Sequence, residues 1–276
     1  MMKKFRFGII ILIILFGCSS SEEDVSLSSK TIMIEQVLDN NVTISRQFII
    51  QTPNIIDKSK NYPIVFAFHG RGGNNKSWVN KLRNYTDSGE FVGVYPKGYL
   101  SSWNLGPEPS NADDVKFINL IVEELQNFTN LDFDKMYAIG TSNGSGMVNK
   151  LAIETNHFKA IAPVASQLTE SLSIHETTNP VSVFQVNGAA DETIPIEGGP
   201  RLGHIFLDAY ESAELWATQF KCSDNPITTM PGNDTLYVFE DCNNEVEVRY
   251  LRIENGTHNL NLNLLFQDIW NFFQKF

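Results

Sequence analysis

Positive charge is scarce in this chain: 21 Lys and Arg stand against 32 Asp and Glu, a formal net of −11. An acidic surface repels phosphate backbones, so nucleic acid and other polyanions are excluded as partners. Cysteine is also scarce, at three residues, Cys18, Cys222 and Cys242. Neither of the last two has a His or a further Cys at metal-ligand spacing, so no metal site is expected. Beyond the N-terminus no apolar run approaches the roughly 20 residues of a membrane-spanning helix. Internal repeats and low-complexity linkers are missing after residue 30. What remains is a stretch of about 245 residues, compatible with one large α/β domain, and 42% hydrophobic residues suffice for its core.

The conspicuous apolar run is at the start. Lys3, Lys4 and Arg6 precede Phe7 to Phe16, and the segment closes on Leu15-Phe16-Gly17-Cys18, the layout of a signal peptide. It resembles a bacterial lipobox, so residues 1–17 are expected to be cleaved and Cys18 lipidated. Ten apolar residues are too few to cross a bilayer. Ser19 to Asp24 resembles the acidic signal that sends some lipoproteins to the outer cell surface. Residues 18–30 then read as a flexible acidic tether, and residues 31–276 as one α/β domain. The expected location is extracytoplasmic, on the outer membrane and facing the exterior, with the lipid on Cys18 as the membrane contact. Cleavage lowers the Lys and Arg count to 18 against 32 acids, a net of −14. With Cys18 lipidated, Cys222 and Cys242 form an even pair in an oxidising compartment. A disulfide is the natural inference, and two buried thiols are the alternative.

Strand-like and helix-like segments alternate along the domain. Ile32 to Ile50 alternates apolar and polar residues around Asp39-Asn40-Asn41, a hairpin signal. Continuous apolar runs at Tyr62–Phe68, Phe91–Tyr95, Lys135–Ile139, Ala160–Val164 and Val181–Val186 fit strands buried on both faces, and Glu245–Ile253 alternates as a strand. Helical periodicity marks Val115–Phe128, with Asp113 and Asp114 in the first turn, then about Gly146–Glu154, Ala209–Phe220 and Leu262–Phe276. The fold class expected is α/β, a mostly parallel central sheet with helices on both faces.

Between the strand ending at Ile139 and the next helix lies Gly140-Thr141-Ser142-Asn143-Gly144. It reads as a nucleophile elbow, a strained strand-to-helix turn that exposes the Ser hydroxyl. An alkoxide at Ser142 requires an imidazole to take its proton. Reactive groups in such sheets lie beyond the carboxyl ends of strands. Of five His, only His69 and His258 follow strands, while His157, His175 and His204 do not. His258, in Asn255-Gly256-Thr257-His258, is the expected base. His69 opens the Gly-rich loop His69-Gly70-Arg71-Gly72-Gly73, where the backbone N–H of Arg71 would join that of Asn143 as an oxyanion hole. Asp191, in Asn187-Gly188-Ala189-Ala190-Asp191 after a strand, is the acid expected to orient His258. Asp208 and Asp224 are weaker rivals, because neither follows a strand. The chain order is therefore Ser142, Asp191, His258, that of the α/β-hydrolases.

Further blocks support one resemblance: Phe68-His-Gly-Arg-Gly-Gly73, Tyr95-Pro-Lys-Gly98 with Trp103, Asp113-Asp-Val-Lys-Phe117, Ala160 to Ala165, Ile194 to Gly199, Gly256-Thr-His258 and Ile269 to Phe273. Over residues 45–276 the chain resembles the polyhydroxybutyrate depolymerase-like and feruloyl esterase-like lineage, which overlaps carbohydrate esterase family one. The resemblance implies an α/β-hydrolase fold, a Ser142, Asp191, His258 triad, a Cys222–Cys242 disulfide near the His-bearing loop, and no cofactor. Its implied substrates are ester-bearing polysaccharides carrying acyl, acetyl or feruloyl groups. A polyester or its oligomers is an alternative, and a noncatalytic glycan-binding role is another, against which the intact triad speaks. Trp103, Tyr99 and His69 are candidate substrate contacts, with core packing as the other reading of Trp103. Two departures stand out. Asn259-Leu260-Asn261-Leu262 replaces the family's Trp-Pro pair after the His, and Arg71 would favour an ester carrying a carboxylate.

Overall fold

A computed structural model describes residues 25–276. The expected signal peptide, Cys18 and the first part of the expected tether lie outside the described residues.

The chain opens with a hairpin of β1 (Lys30–Val37) and β2 (Thr43–Gln51), turned through Asn41 at φ 62°. Then follow β3 (Tyr62–Phe68), α1 (Lys76–Asp87), β4 (Val92–Pro96), α2 (Asp114–Leu125), β5 (Leu131–Thr141), α3 (Asn143–Glu154), β6 (Ala160–Val164) and β7 (Ser182–Gly188). A two-stranded ribbon, β8 (Gly199–Arg201) and β9 (His204–Phe206), precedes α4 (Ala209–Gln219). The chain ends with β10 (Ile227–Thr229), β11 (Thr235–Phe239), β12 (Val248–Ile253) and α5 (Leu262–Phe273).

Ten of these strands form one sheet in the order β1-β2-β4-β3-β5-β6-β7-β12-β11-β10. The six central strands, β4 to β12, pair in parallel, and the two ends are antiparallel hairpin additions. The parallel centre accounts for the continuous apolar runs, because its strands are covered on both faces. In β3 the side chains divide between two cores. Ile64, Phe66 and Phe68 join α2, α3 and α4 through Phe117, Met147 and Trp216. Val65 and Ala67 join α1 and α5 through Trp78, Leu82, Phe266 and Trp270. The helices thus flank both faces of the sheet, and every central strand ends on the same side, where the reactive loops collect.

Some boundaries differ from the sequence expectation. Strand β12 begins at Val248, since Asn244 and Glu245 adopt φ 61° and 58° and leave the extended region. Elbow helix α3 begins at Asn143, directly after Ser142. The β8–β9 ribbon and the β10–β11 hairpin carry too little apolar periodicity to be read in advance, and α1 is missed because it is mostly polar, although its Trp78, Val79, Leu82 and Tyr85 recur at helical spacing. Cys222, beyond α4, and Cys242, beyond β11, are joined in a disulfide.

Candidate active site

Strand β5 delivers Ser142 to the sheet's reactive edge. Its backbone sits at φ 55°, ψ −122°, a conformation that costs on the order of 1–3 kcal/mol and that surrounding bonds must hold. Those bonds are Ser142 N–H to the Val164 carbonyl at 2.9 Å, and Ser145 and Gly146 N–H back to the Ser142 carbonyl. Close packing fixes the flanking glycines. A Cβ on Gly140 would lie 2.1 Å from the Gly144 carbonyl oxygen, and one on Gly144 2.3 Å from that of Phe68.

Beyond β7, Asp191 is buried. Its Oδ1 accepts from the N–H groups of Thr193 and Ile194, at 2.8 and 2.9 Å. Oδ2 faces His258 Nδ1 at 2.7 Å, and His258 Nε2 faces Ser142 Oγ at 2.8 Å. The acceptor-only carboxylate fixes the tautomer: Nδ1–H donates to Asp191, so Nε2 accepts the serine hydroxyl. The two loops that carry Asp191 and His258 are clasped together. Ala190 N–H donates to the Gly256 carbonyl at 2.8 Å, and a Cβ on Gly188 would fall 2.3 Å from that oxygen. Gly256 thus serves close approach to Gly188. Three residues from three separate loops form one hydrogen-bonded line.

The loop after β3 packs on the elbow. A Cβ on Gly70 would lie 3.3 Å from Ser142 Cβ, so Arg71 follows within reach of the same centre. Neither the Arg71 nor the Asn143 backbone N–H has a protein acceptor among the described residues. Two free donors beside a serine hydroxyl are what a tetrahedral oxyanion requires.

The candidate substrate contacts fall elsewhere. Trp103 is fully buried, with Nε1–H donating to the His69 carbonyl at 2.8 Å and its ring against Phe68. Loop residues usually lie on the surface, but this Trp closes the core beneath the oxyanion loop. His69 is buried too, donating from Nδ1 to the Gly70 carbonyl and accepting at Nε2 from Gly98 N–H. Burial, aided by the Lys97 and Arg46 charges, holds its pKa below the usual imidazole range, against the Gly70 carbonyl. It shapes the loop in neutral form. Tyr99 is half-buried in a separate surface hollow with Met33, Arg46 and Lys97.

One group at the cleft was not legible in the sequence. Glu108, on the irregular loop between β4 and α2, has a fully buried carboxylate. Oε1 receives His204 Nε2 at 2.9 Å, Arg71 Nη2 at 3.0 Å and Asn143 Nδ2 at 3.3 Å, and Oε2 receives Leu105 N–H at 2.8 Å. Burial pushes its pKa up, but the His204 and Leu105 bonds outweigh that and leave it below the usual carboxylate range. The Arg71 charge is therefore met by an internal carboxylate, which removes the reason to expect a carboxylate on the substrate. A narrow cleft of about 30 Å³ opens beside Ser142, with Leu105, Ile194, Leu202 and Phe206 as its apolar lining. Among the described residues no three His, Cys, Asp or Glu side chains converge on a metal site, and no helix is long and apolar enough to cross a membrane.

Known structures share this architecture. An acetyl xylan esterase from Aspergillus awamori superposes with TM-score 0.65 at 13% identity, covering 90% of this chain and all of that one. The Bacillus cereus carboxylesterase does so at 0.56 and 17%, covering 83% and 94%. The chain has an esterase-like α/β-hydrolase fold. In sequence, the chain is 26% identical over 232 residues to feruloyl esterase B of Piromyces equi, covering 77% of this chain and 42% of that protein. It is 26% identical over 170 residues to feruloyl esterase C of Emericella nidulans, covering 59% and 61%. A bifunctional acetylxylan esterase/xylanase of Neocallimastix patriciarum matches at 26% over 221 residues, covering 77% and 31%. The chain thus spans less than two thirds of the length of each of these relatives. No family model matches it.

Proposed function

We propose that the protein is a serine carboxylesterase that removes acetyl, feruloyl or related acyl groups from polysaccharides through an acyl-Ser142 intermediate. The observation that carries this reading is the continuous line Asp191–His258–Ser142, at 2.7 and 2.8 Å. Ser142 Oγ attacks the ester carbonyl as His258 Nε2 takes its proton, and Asp191 stabilises the imidazolium. The negative oxygen of the tetrahedral intermediate lies against the N–H groups of Arg71 and Asn143. His258 then gives its proton to the leaving sugar oxygen, and water repeats the sequence to free the acid. The triad supplies its own nucleophile and base, so the chemistry calls for no cofactor.

Relatives named for feruloyl and acetylxylan ester hydrolysis favour a polysaccharide ester. A larger open groove, with Leu168, Glu170 and Leu215 on its walls, shares Thr169 with the lining of the Ser142 cleft and is a candidate seat for a polymer. A lipoprotein signal over residues 1–17 and a lipid on Cys18 would hold the enzyme outside the cell, where such polymers are met; fatty-acid labelling that is lost in Cys18→Ala tests this anchor.

The deciding experiment compares residues 25–276 with and without Ser142→Ala on para-nitrophenyl acetate, methyl ferulate, acetylated xylan and hydroxybutyrate oligomers. We expect hydrolysis of the first three and a loss of about 10⁴-fold or more in the variant. Equal rates in both proteins would end the serine mechanism. Hydroxybutyrate oligomers as the best substrate would move the assignment to a polyester.

A further inference from the structure

We infer that Glu108 is a positioning residue that holds both halves of the oxyanion hole in register. The inference rests on the serine esterase reading above and names a part of that site which neither the elbow nor the triad supplies.

Two residues that are distant in the chain must present N–H groups to one oxygen: Arg71 on the loop after β3, and Asn143 at the start of α3. Their side chains converge on the same atom, Glu108 Oε1, at 3.0 and 3.3 Å. The rest of the Glu108 loop braces both partners. Asn143 Oδ1 accepts from Trp103 N–H at 2.7 Å and from the Ser102 hydroxyl at 3.2 Å, while its amide also donates to the Trp103 carbonyl. Trp103 Nε1–H and Gly98 N–H bind the carbonyl and Nε2 of His69, the first residue of the oxyanion loop, and Gly72 N–H donates to the Ser101 carbonyl. Segment 98–108 is therefore a clamp between the two donors, and Glu108 is its charged end.

The charge balance fits this role. An uncompensated carboxylate near a developing oxyanion would oppose it. Here Arg71 offsets the charge, and His204 occupies the remaining side of the same oxygen. His204 comes from β9, so the ribbon after β7 locks the carboxylate in place without touching the triad. A buried carboxylate with four donors has little freedom to move, and so neither do the groups bound to it. Because an oxyanion hole binds the transition state more strongly than the substrate, loosening it lowers kcat and leaves KM nearly unchanged.

The test uses Glu108→Gln, close to isosteric, beside Glu108→Ala, Arg71→Ala and the Arg71→Ala/Glu108→Ala double variant. The probes are para-nitrophenyl acetate and phenylboronic acid, which adds to a serine as a tetrahedral anion. Losing a whole oxyanion donor costs about 10² to 10³ in rate, so displacing one predicts a fall in kcat of about 10- to 100-fold in the Glu108 variants. KM should stay within about threefold, and boronate affinity should drop by the same factor as kcat/KM. The double variant should be no slower than the slower single, since both act on one placement. A folded Glu108→Gln with wild-type kcat, a loss confined to KM, or additive effects of the two sites would overturn the inference. If the wild type neither hydrolyses the ester nor is labelled at Ser142 by a fluorophosphonate, the esterase reading itself fails and takes this one with it.

Discussion

Two imidazoles are kept neutral by burial at the scale of single residues, and they give the fold a pH dependence separate from catalysis. His69 is enclosed under the oxyanion loop and His157 is half-buried against Asn119, with Nε2 2.7 Å from Oδ1. Burial lowers the pKa of both. In the unfolded chain they protonate near pH 6.5, so below that value the unfolded state binds more protons and stability falls as the pH drops. Each such group can tilt the stability curve by at most about 1.4 kcal/mol per pH unit. Urea unfolding at pH 7.5 and 5.5 should therefore show a less stable protein at the lower pH, and a shallower loss in His157→Gln, which keeps a partner for Asn119 without a titrating ring. An equal loss in the variant would show that His157 is not the source. Glu108 marks the limit of sequence reading at this scale. Its partner His204 lies 96 residues away and Arg71 lies 37 away. Nothing in a one-dimensional pattern links a Glu in an irregular loop to either, whereas Asp191 and His258 were legible because each directly follows a strand.

At the scale of elements, the β5–α3 elbow depends on glycine for space more than for dihedral freedom. Gly144 sits in α3, with the Phe68 and His69 carbonyl oxygens 2.3 and 2.7 Å from where a Cβ would be. Gly72, in the oxyanion loop, has φ 75° and open space around it. Gly144→Ala must push the elbow helix off the end of β3, displacing Asn143 relative to Arg71, and should cost about 1–3 kcal/mol of stability together with most of the ester hydrolysis. Gly72→Ala meets only the left-handed backbone penalty, roughly 1–2 kcal/mol. Thermal unfolding and para-nitrophenyl acetate turnover separate the two. Equal, full activity in both variants would mean that the elbow can yield. The elements read best from sequence were those of the buried parallel centre, where continuous apolar runs are required by two covered faces. Helix α1 escaped notice because polar residues such as Lys76, Asn80, Lys81, Arg83 and Asn84 outnumber its apolar ones, even though Trp78, Val79, Leu82 and Tyr85 recur at helical spacing toward the core. For Trp103 a loop position left substrate stacking and core packing both open, and its ring and Nε1–H are in fact taken up by the core.

For the whole molecule, the open question is how the antiparallel end of the sheet stays attached. Every residue of β10 is exposed and β11 is only partly buried, so this edge gains little from apolar burial. The Cys222–Cys242 bridge ties the end of α4 to the end of β11 across a sequence separation of 20. Loop closure of that length contributes about 3 kcal/mol, less any residual order in the reduced unfolded chain. Reduction, or the Cys222→Ser/Cys242→Ser double variant, should therefore lower the unfolding midpoint by several degrees. The triad is anchored on the other side of β12. That strand pairs in parallel with β7 over six residues, and Ala189 and Ala190 N–H hold the carbonyls of Ile253 and Gly256. Well below the midpoint, kcat should consequently stay within about twofold of the oxidised enzyme, as for sites with no shared partner. The edge does touch the His258 loop at one place, where Glu254 N–H donates to Asp234 Oδ1 at 3.0 Å. A collapse of kcat on reduction, at a temperature where circular dichroism is still native, would mean that this single bond, and not the β7–β12 pairing, carries the register of the histidine.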